Sequence, residues 1–175
     1  MKILIIIVVI IAIPFVIALF TAKEYSVERS IVINKPGQEV FNYIKLVKNQ
    51  EHYSKWVMDD PASQKIYTGT DGTPGFSMAW DSQVKNVGKG TQTITSVKDG
   101  ERIDLDLHFI KPFEGRSSAY MATEAVAPSQ TKVTWVFHGK MSYPMNFMLL
   151  VMNMDKMLGK DLSTSLTTLK TVLEQ

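Results

Sequence analysis

Leucine recurs at helical spacing near the C-terminus. Leu158, Leu162, Leu166, Leu169 and Leu173 fall on one stripe, while Lys160, Asp161, Thr164, Thr168 and Lys170 lie off it. The segment from Pro144 to Gln175 thus reads as a long terminal helix with a single apolar face. A stripe of that length needs one large apolar surface to cover it. The rest of the chain has to build that surface.

The preceding sequence has the period of strands. From Lys65 onward apolar residues alternate with polar ones: Phe76, Met78 and Trp80; Ile103, Leu105, Leu107 and Phe109; Val133, Trp135 and Phe137. Turn-forming clusters separate the runs, at Asp71-Gly72-Thr73-Pro74-Gly75, Asp99-Gly100, Lys111-Pro112-Phe113-Glu114-Gly115 and Ala127-Pro128-Ser129-Gln130. This spacing predicts a meander of antiparallel strands, each with an apolar side and a wetter side. Ahead of it, Tyr25 to Asn34 alternates in the same way, with Val27, Arg29, Ile31 and Ile33 on one face. Pro36 suits a first helical turn. Val40, Phe41, Ile44, Val47 and Lys48 follow at three- and four-residue steps, which predicts one or two short helices ending near Trp56.

Ile3 to Ala22 is an uncharged apolar run interrupted by Pro14 and Thr21. As a helix it would rise roughly 30 Å, the thickness of the hydrocarbon core of a bilayer. Residues 1–23 are therefore expected to form a transmembrane helix, a single-pass anchor that places the protein at the cell membrane, with Pro14 tolerated as in other membrane spans. A cleaved signal peptide competes, given Lys2 at the start and Val16 and Ala18 as a small-residue cleavage pattern. The run exceeds the roughly 7–15 residues of a signal core, which favours the anchor. Lys2 on one side faces Lys23, Arg29 and Lys35 on the other, so charge leaves the side of the membrane open. Residues 24–175 remain as one domain with one core.

Composition excludes several functions. With a net charge of +2 and basic residues scattered between acids, no stripe suits nucleic acid. The absence of cysteine removes a disulfide framework and thiolate metal sites. No HxxxH or HxH spacing supports zinc, so neither metal nor cofactor is expected. Gly88-x-Gly90 leads into Thr91, Thr93 and Thr95, a strand rather than a helix, which argues against a phosphate-cradling loop. Serine occurs in no nucleophile-elbow pattern, and no catalytic residue is assigned.

The element order of strand, short helices, six-strand meander and long terminal helix resembles the helix-grip fold of the START/Bet v 1-like (SRPBCC) superfamily. Its bacterial polyketide cyclase/dehydrase-like branch is matched by Val27-Glu28-Arg29-Ser30-Ile31-Val32-Ile33-Asn34-Lys35-Pro36 with Glu39-Val40-Phe41, by Gly88-Lys89-Gly90, by Ile110-Lys111-Pro112-Phe113-Glu114-Gly115 and by Thr131-Lys132-Val133-Thr134-Trp135. Members of that branch carry a Trp-Ser-Pro-Trp-like stretch after the short helices, where this chain reads Tyr53-Ser54-Lys55-Trp56. The resemblance implies an α+β domain, a curved antiparallel sheet wrapped around a long C-terminal helix, with an apolar ligand cavity between them. A fold of this kind hosts many chemistries.

Within that frame, Trp56, Phe76, Met78, Trp80, Leu105, Leu107, Phe109, Met121, Trp135, Phe137, Met148 and Met152 are candidate ligand-binding residues; each also suits an ordinary packed core. Methionine is concentrated between Met141 and Met157, and its adaptable thioether suits the wall of a cavity for irregular apolar molecules. Asp104, Asp106 and His108 share the other face of their strand, which turns them toward water. Arg116 and Tyr120 are within reach of a ligand head group or pair on the surface. The expected function is a membrane-anchored binding domain for a hydrophobic or amphipathic small molecule such as a lipid. The alternatives are a cyclase/dehydrase-like enzyme, which requires a titratable group pointing inward, and a protein-interaction module with a filled core.

Overall fold

The computed structural model describes residues 2–175, apart from the side chains of residues 4–11. The chain begins with helix α1 (Lys2–Phe20) and enters strand β1 (Glu24–Ile33). Helix α2 (Gly37–Ile44), a 3-10 turn over Val47–His52 and the single turn α3 (Lys55–Met58) follow. Six strands come next: β2 (Gln64–Thr68), β3 (Ser77–Asp81), β4 (Lys89–Lys98), β5 (Arg102–Lys111), β6 (Gly115–Ala127) and β7 (Gln130–Lys140). A second 3-10 turn over Met145–Leu150 leads into α4 (Met154–Leu173).

All seven strands form one antiparallel sheet in the order β1-β7-β6-β5-β4-β3-β2. The meander pairs each strand with its successor, and β1 closes onto β7 with Val27 opposite Phe137 and Ile31 opposite Val133. The register slips between Ile94 and Ser96 where β4 meets β5, a bulge of the kind that bends a sheet. Helix α4 lies along β1 and seals the concave face with Leu162, Leu166 and Leu169, all but fully buried against Val27, Ile33, Val133 and Trp135. Val40, Phe41 and Ile44 of α2 close the same core at its other end.

Polar side chains fix the joints between elements. The Asp71 carboxylate accepts hydrogen bonds from the amides of Val47 (2.8 Å) and Lys48 (3.1 Å), which caps the first 3-10 turn from a distant loop. Ser165 of α4 accepts from the Lys55 amide at 2.9 Å and so caps α3. Arg29 on β1 binds Asp155 in a forked pair and sits in a notch at Gly159, where any β-carbon would collide with the guanidinium.

Two expectations are corrected. Among the described residues no helix is long and apolar enough to cross a membrane, which overturns the anchor over residues 1–23 and the single-pass membrane location drawn from it. The run that suggested it falls largely on residues 4–11, outside the described side chains. The described end of α1 is also held by protein: Ala18 is buried, and the Asn146 side-chain amide donates to the carbonyls of Ala18 (2.7 Å) and Thr21 (2.9 Å). The terminal helix, second, does not begin at Pro144. It restarts at Asn153, whose side chain accepts from the Lys156 amide and forms a fresh N-cap.

Candidate functional site: an apolar cavity beneath the sheet

Strand alternation sends one row of side chains from each strand to the concave face. Across the sheet these rows align: Leu105 faces Ala119, which faces Phe137, while Met78 faces Gln92, which faces Leu107. Phe109, Gly90 and Trp80 make a third row. Ala119 and Gly90 fill less space than their neighbours, and Leu158 is the one α4 residue that reaches this part of the sheet. The result is a cavity of about 270 Å³.

Aromatic edges shape its walls. Trp56 packs edge-on against Trp135 at 5.9 Å, and Trp80 against Phe109 at 6.0 Å. The Trp80 indole donates to the Val87 carbonyl at 3.1 Å, so Val87 and Asn86 of the β3–β4 loop also border the cavity. Gly90 makes this possible, because a β-carbon there would lie 2.6 Å from the indole ring and 2.5 Å from the His108 carbonyl. Gly88 has φ +63°, and a β-carbon there would strike the Lys111 carbonyl. These steric demands account for the Gly88-x-Gly90 pattern.

Polar groups enter from the segment of short helices and from the start of β2: Gln50 and Ser54, both buried, with Ser63 just before β2 and Lys65 within it. Lys65 is the one titratable side chain of the lining among the described residues, and its ammonium lies 3.6 Å from Glu51. Glu51 in turn accepts from the Tyr67 hydroxyl at 2.6 Å. Burial and then that bond push the Tyr67 hydroxyl well above its ordinary range. Tyr53, wholly buried with its hydroxyl toward the Met121 sulfur, is pushed up by burial as well.

Of the residues singled out in the sequence, Trp56, Met78, Trp80, Leu105, Leu107, Phe109, Trp135 and Phe137 line the cavity. Phe76, Met121, Met148 and Met152 do not. Phe76 stacks on Tyr67 in the core, and Met121 is sealed beneath Tyr53. Met148 and Met152 belong to the segment around the second 3-10 turn, which packs against α1. The methionine-rich wall is therefore not where its composition suggested. Asp104 pairs with Arg102, Asp106 with Arg116 and His108 with Glu114, all away from the cavity. Tyr120 lies under the Arg102 guanidinium, 3.6 Å from ring centre to Cζ. The described residues contain no group of acids and histidines able to hold a metal. Gln50, Ser54, Ser63, Lys65 and Gln92 were missed by a reading that looked for apolar alternation alone.

A curved sheet folded over one long helix, with an apolar hollow between them, is the helix-grip architecture of the START/Bet v 1-like superfamily. The chain belongs to the polyketide cyclase / dehydrase and lipid transport family, whose sequence profile matches residues 24–174. A search of curated proteins gave no match. Among solved structures, the Zhui aromatase/cyclase from Streptomyces sp. R1128 is similar with a TM-score of 0.63 at 11% identity, over 86% of this chain and 94% of that one. Protein CV1439 from Chromobacterium violaceum gives 0.60 at 12% identity, over 86% and 97%. Ara h 8.0201 gives 0.56 at 13% identity, over 86% and 97%. At these identities the likeness is one of fold.

Proposed function

We propose that residues 24–175 form a binding domain that encloses a hydrophobic or amphipathic small molecule, such as a lipid-derived chain or a compact polycycle. The observation that carries this reading is the cavity of about 270 Å³ walled by Trp56, Trp80, Leu105, Leu107, Phe109, Trp135 and Phe137. Ligand sites of roughly 300–1,000 Å³ bury most of a drug-sized molecule in largely apolar walls, and this hollow of about 270 Å³ lies just below that range, which suits a compact ligand. Membership of the polyketide cyclase / dehydrase and lipid transport family supports the same reading.

Cyclase chemistry is the second reading, favoured by the family and by the name of the Zhui aromatase/cyclase. Proton transfer by a side chain would fall to Lys65, the titratable group at the wall, and Glu51 already engages it. Enclosure of a ligand needs no such group. Native mass spectrometry of the gently purified full chain tests the proposal. A co-purified apolar mass, or uptake of one from a membrane extract, is the expected result; a clean apo mass after both treatments would sink it.

A further inference from the structure

Gln92 is the anomaly in the cavity wall. Its side chain stands on the concave face of β4, is only 7% exposed, and carries a side-chain nitrogen with no hydrogen-bond partner. Its cross-strand neighbours are Met78 and Leu107, whose side chains offer an amide nothing better than a thioether. Buried donors are almost always paired, because an unmade hydrogen bond forfeits the hydration that the group had in water. A methionine or leucine would fill the same space without that cost. Within the sheet, the neighbours of Gln92 supply no polar side chain to share a bridging water with it.

We propose that the ligand of this cavity carries a neutral hydrogen-bond acceptor, a ketone, ester or amide carbonyl oxygen, that pairs with the Gln92 amide. This rests on the enclosed-ligand reading above and narrows it to oxygenated apolar molecules. Neutrality follows from the charges at the wall. Lys65 is the one cation of the lining, and it is balanced by Glu51, which leaves no free positive charge for a carboxylate or phosphate. The side chains that flank Gln92 in the sheet, Met78 and Leu107, are apolar, so the acceptor beside it is a single oxygen on an otherwise apolar frame.

Three tricyclic probes of one shape separate the possibilities: fluorene with no polar group, 9-fluorenone with a carbonyl, and carbazole with an N–H donor at the equivalent position. Each is titrated as a competitor against N-phenyl-1-naphthylamine fluorescence on the full chain and on Gln92→Met. Fluorenone is expected to bind roughly three- to tenfold more tightly than fluorene or carbazole, the range of one net hydrogen bond. Gln92→Met is expected to level the three. Equal affinities in the unaltered chain, a preference for carbazole, or a preference for fluorenone that survives Gln92→Met each overturn the inference while leaving an apolar binding cavity in place. No binding of the reporter and no displacement by any probe overturn the enclosed-ligand reading itself. The ranking in the unaltered chain decides the matter even where Gln92→Met does not fold.

Discussion

At the scale of single residues, the charged groups of this chain act as fasteners between elements. Hydrogen bonds from the Arg29 guanidinium, with its charge adding to them, hold the Asp155 carboxyl below the ordinary range. Lys89 does the same for Asp81, and Lys170 with the Asn34 amide for Glu174. A carboxyl whose folded pKa is depressed contributes its full stabilisation above the unfolded value, about 4, and loses it as pH falls through the folded value. The melting temperature is thus expected to hold flat from neutral pH to about 5 and to drop below about 4. Asp155→Asn should show a shallower drop, because the variant has one fewer proton to take up on unfolding. Thermal melts between pH 3 and pH 7 check this, and parallel acid limbs in the two proteins would show that the Arg29 pair contributes nothing. The pairing was not legible in the sequence. Arg29 is in phase with Val27 and Ile31, and only the helix crossing above it explains a charge on that face.

Elements were legible where one period ran long enough to be counted. The strands β3 to β7 and the leucine stripe of α4 follow from alternation and helical spacing alone, because each buries one face against a single partner. The start of the last helix was not. The stretch from Pro144 to Met152 looks helical by composition, but it closes as a 3-10 turn, and Asn153 begins a new helix with its own cap. The phase of Met148 and Met152 is therefore uncoupled from that of Leu158 and Leu162, which is why neither methionine reaches the cavity. A contrary case is β4, where glycine is the residue the element needs. Alanine ordinarily suits a strand interior better than glycine does. Gly90→Ala should nevertheless destabilise the protein by about 1–3 kcal/mol, since the new methyl meets the Trp80 ring and the His108 carbonyl. Urea denaturation measures the change, and a neutral or stabilising result would mean that Trp80 is free to move aside.

For the molecule as a whole, the question is whether the hollow is a site or a packing defect. Ala119→Phe would fill the space between Leu105 and Phe137. If the cavity serves a ligand, this variant should retain the fold, lose uptake of apolar probes, and shift stability by no more than about 1–3 kcal/mol. Full retention of probe binding in a folded Ala119→Phe protein would place the ligand elsewhere. The apolar walls of the cavity could be listed from alternation, since Leu105, Leu107 and Phe109 share the face that any sheet would bury. Gln92 could not. It stands between Thr91 and Thr93 in a run that reads as polar, and only its shared phase with Ile94 hints that it points inward.

The strand order has a consequence for how the protein is made. β1 is the first strand to be synthesised, yet its partner is β7, the last. Until β7 has been made, Val27 and Ile31 have no Phe137 or Val133 to pair with, and the meander must assemble with one border open. The closing step joins residues about a hundred positions apart, the kind of distant pairing that slows folding. The helix that covers the core follows β7 in the chain, so the hollow beneath the sheet acquires its roof last.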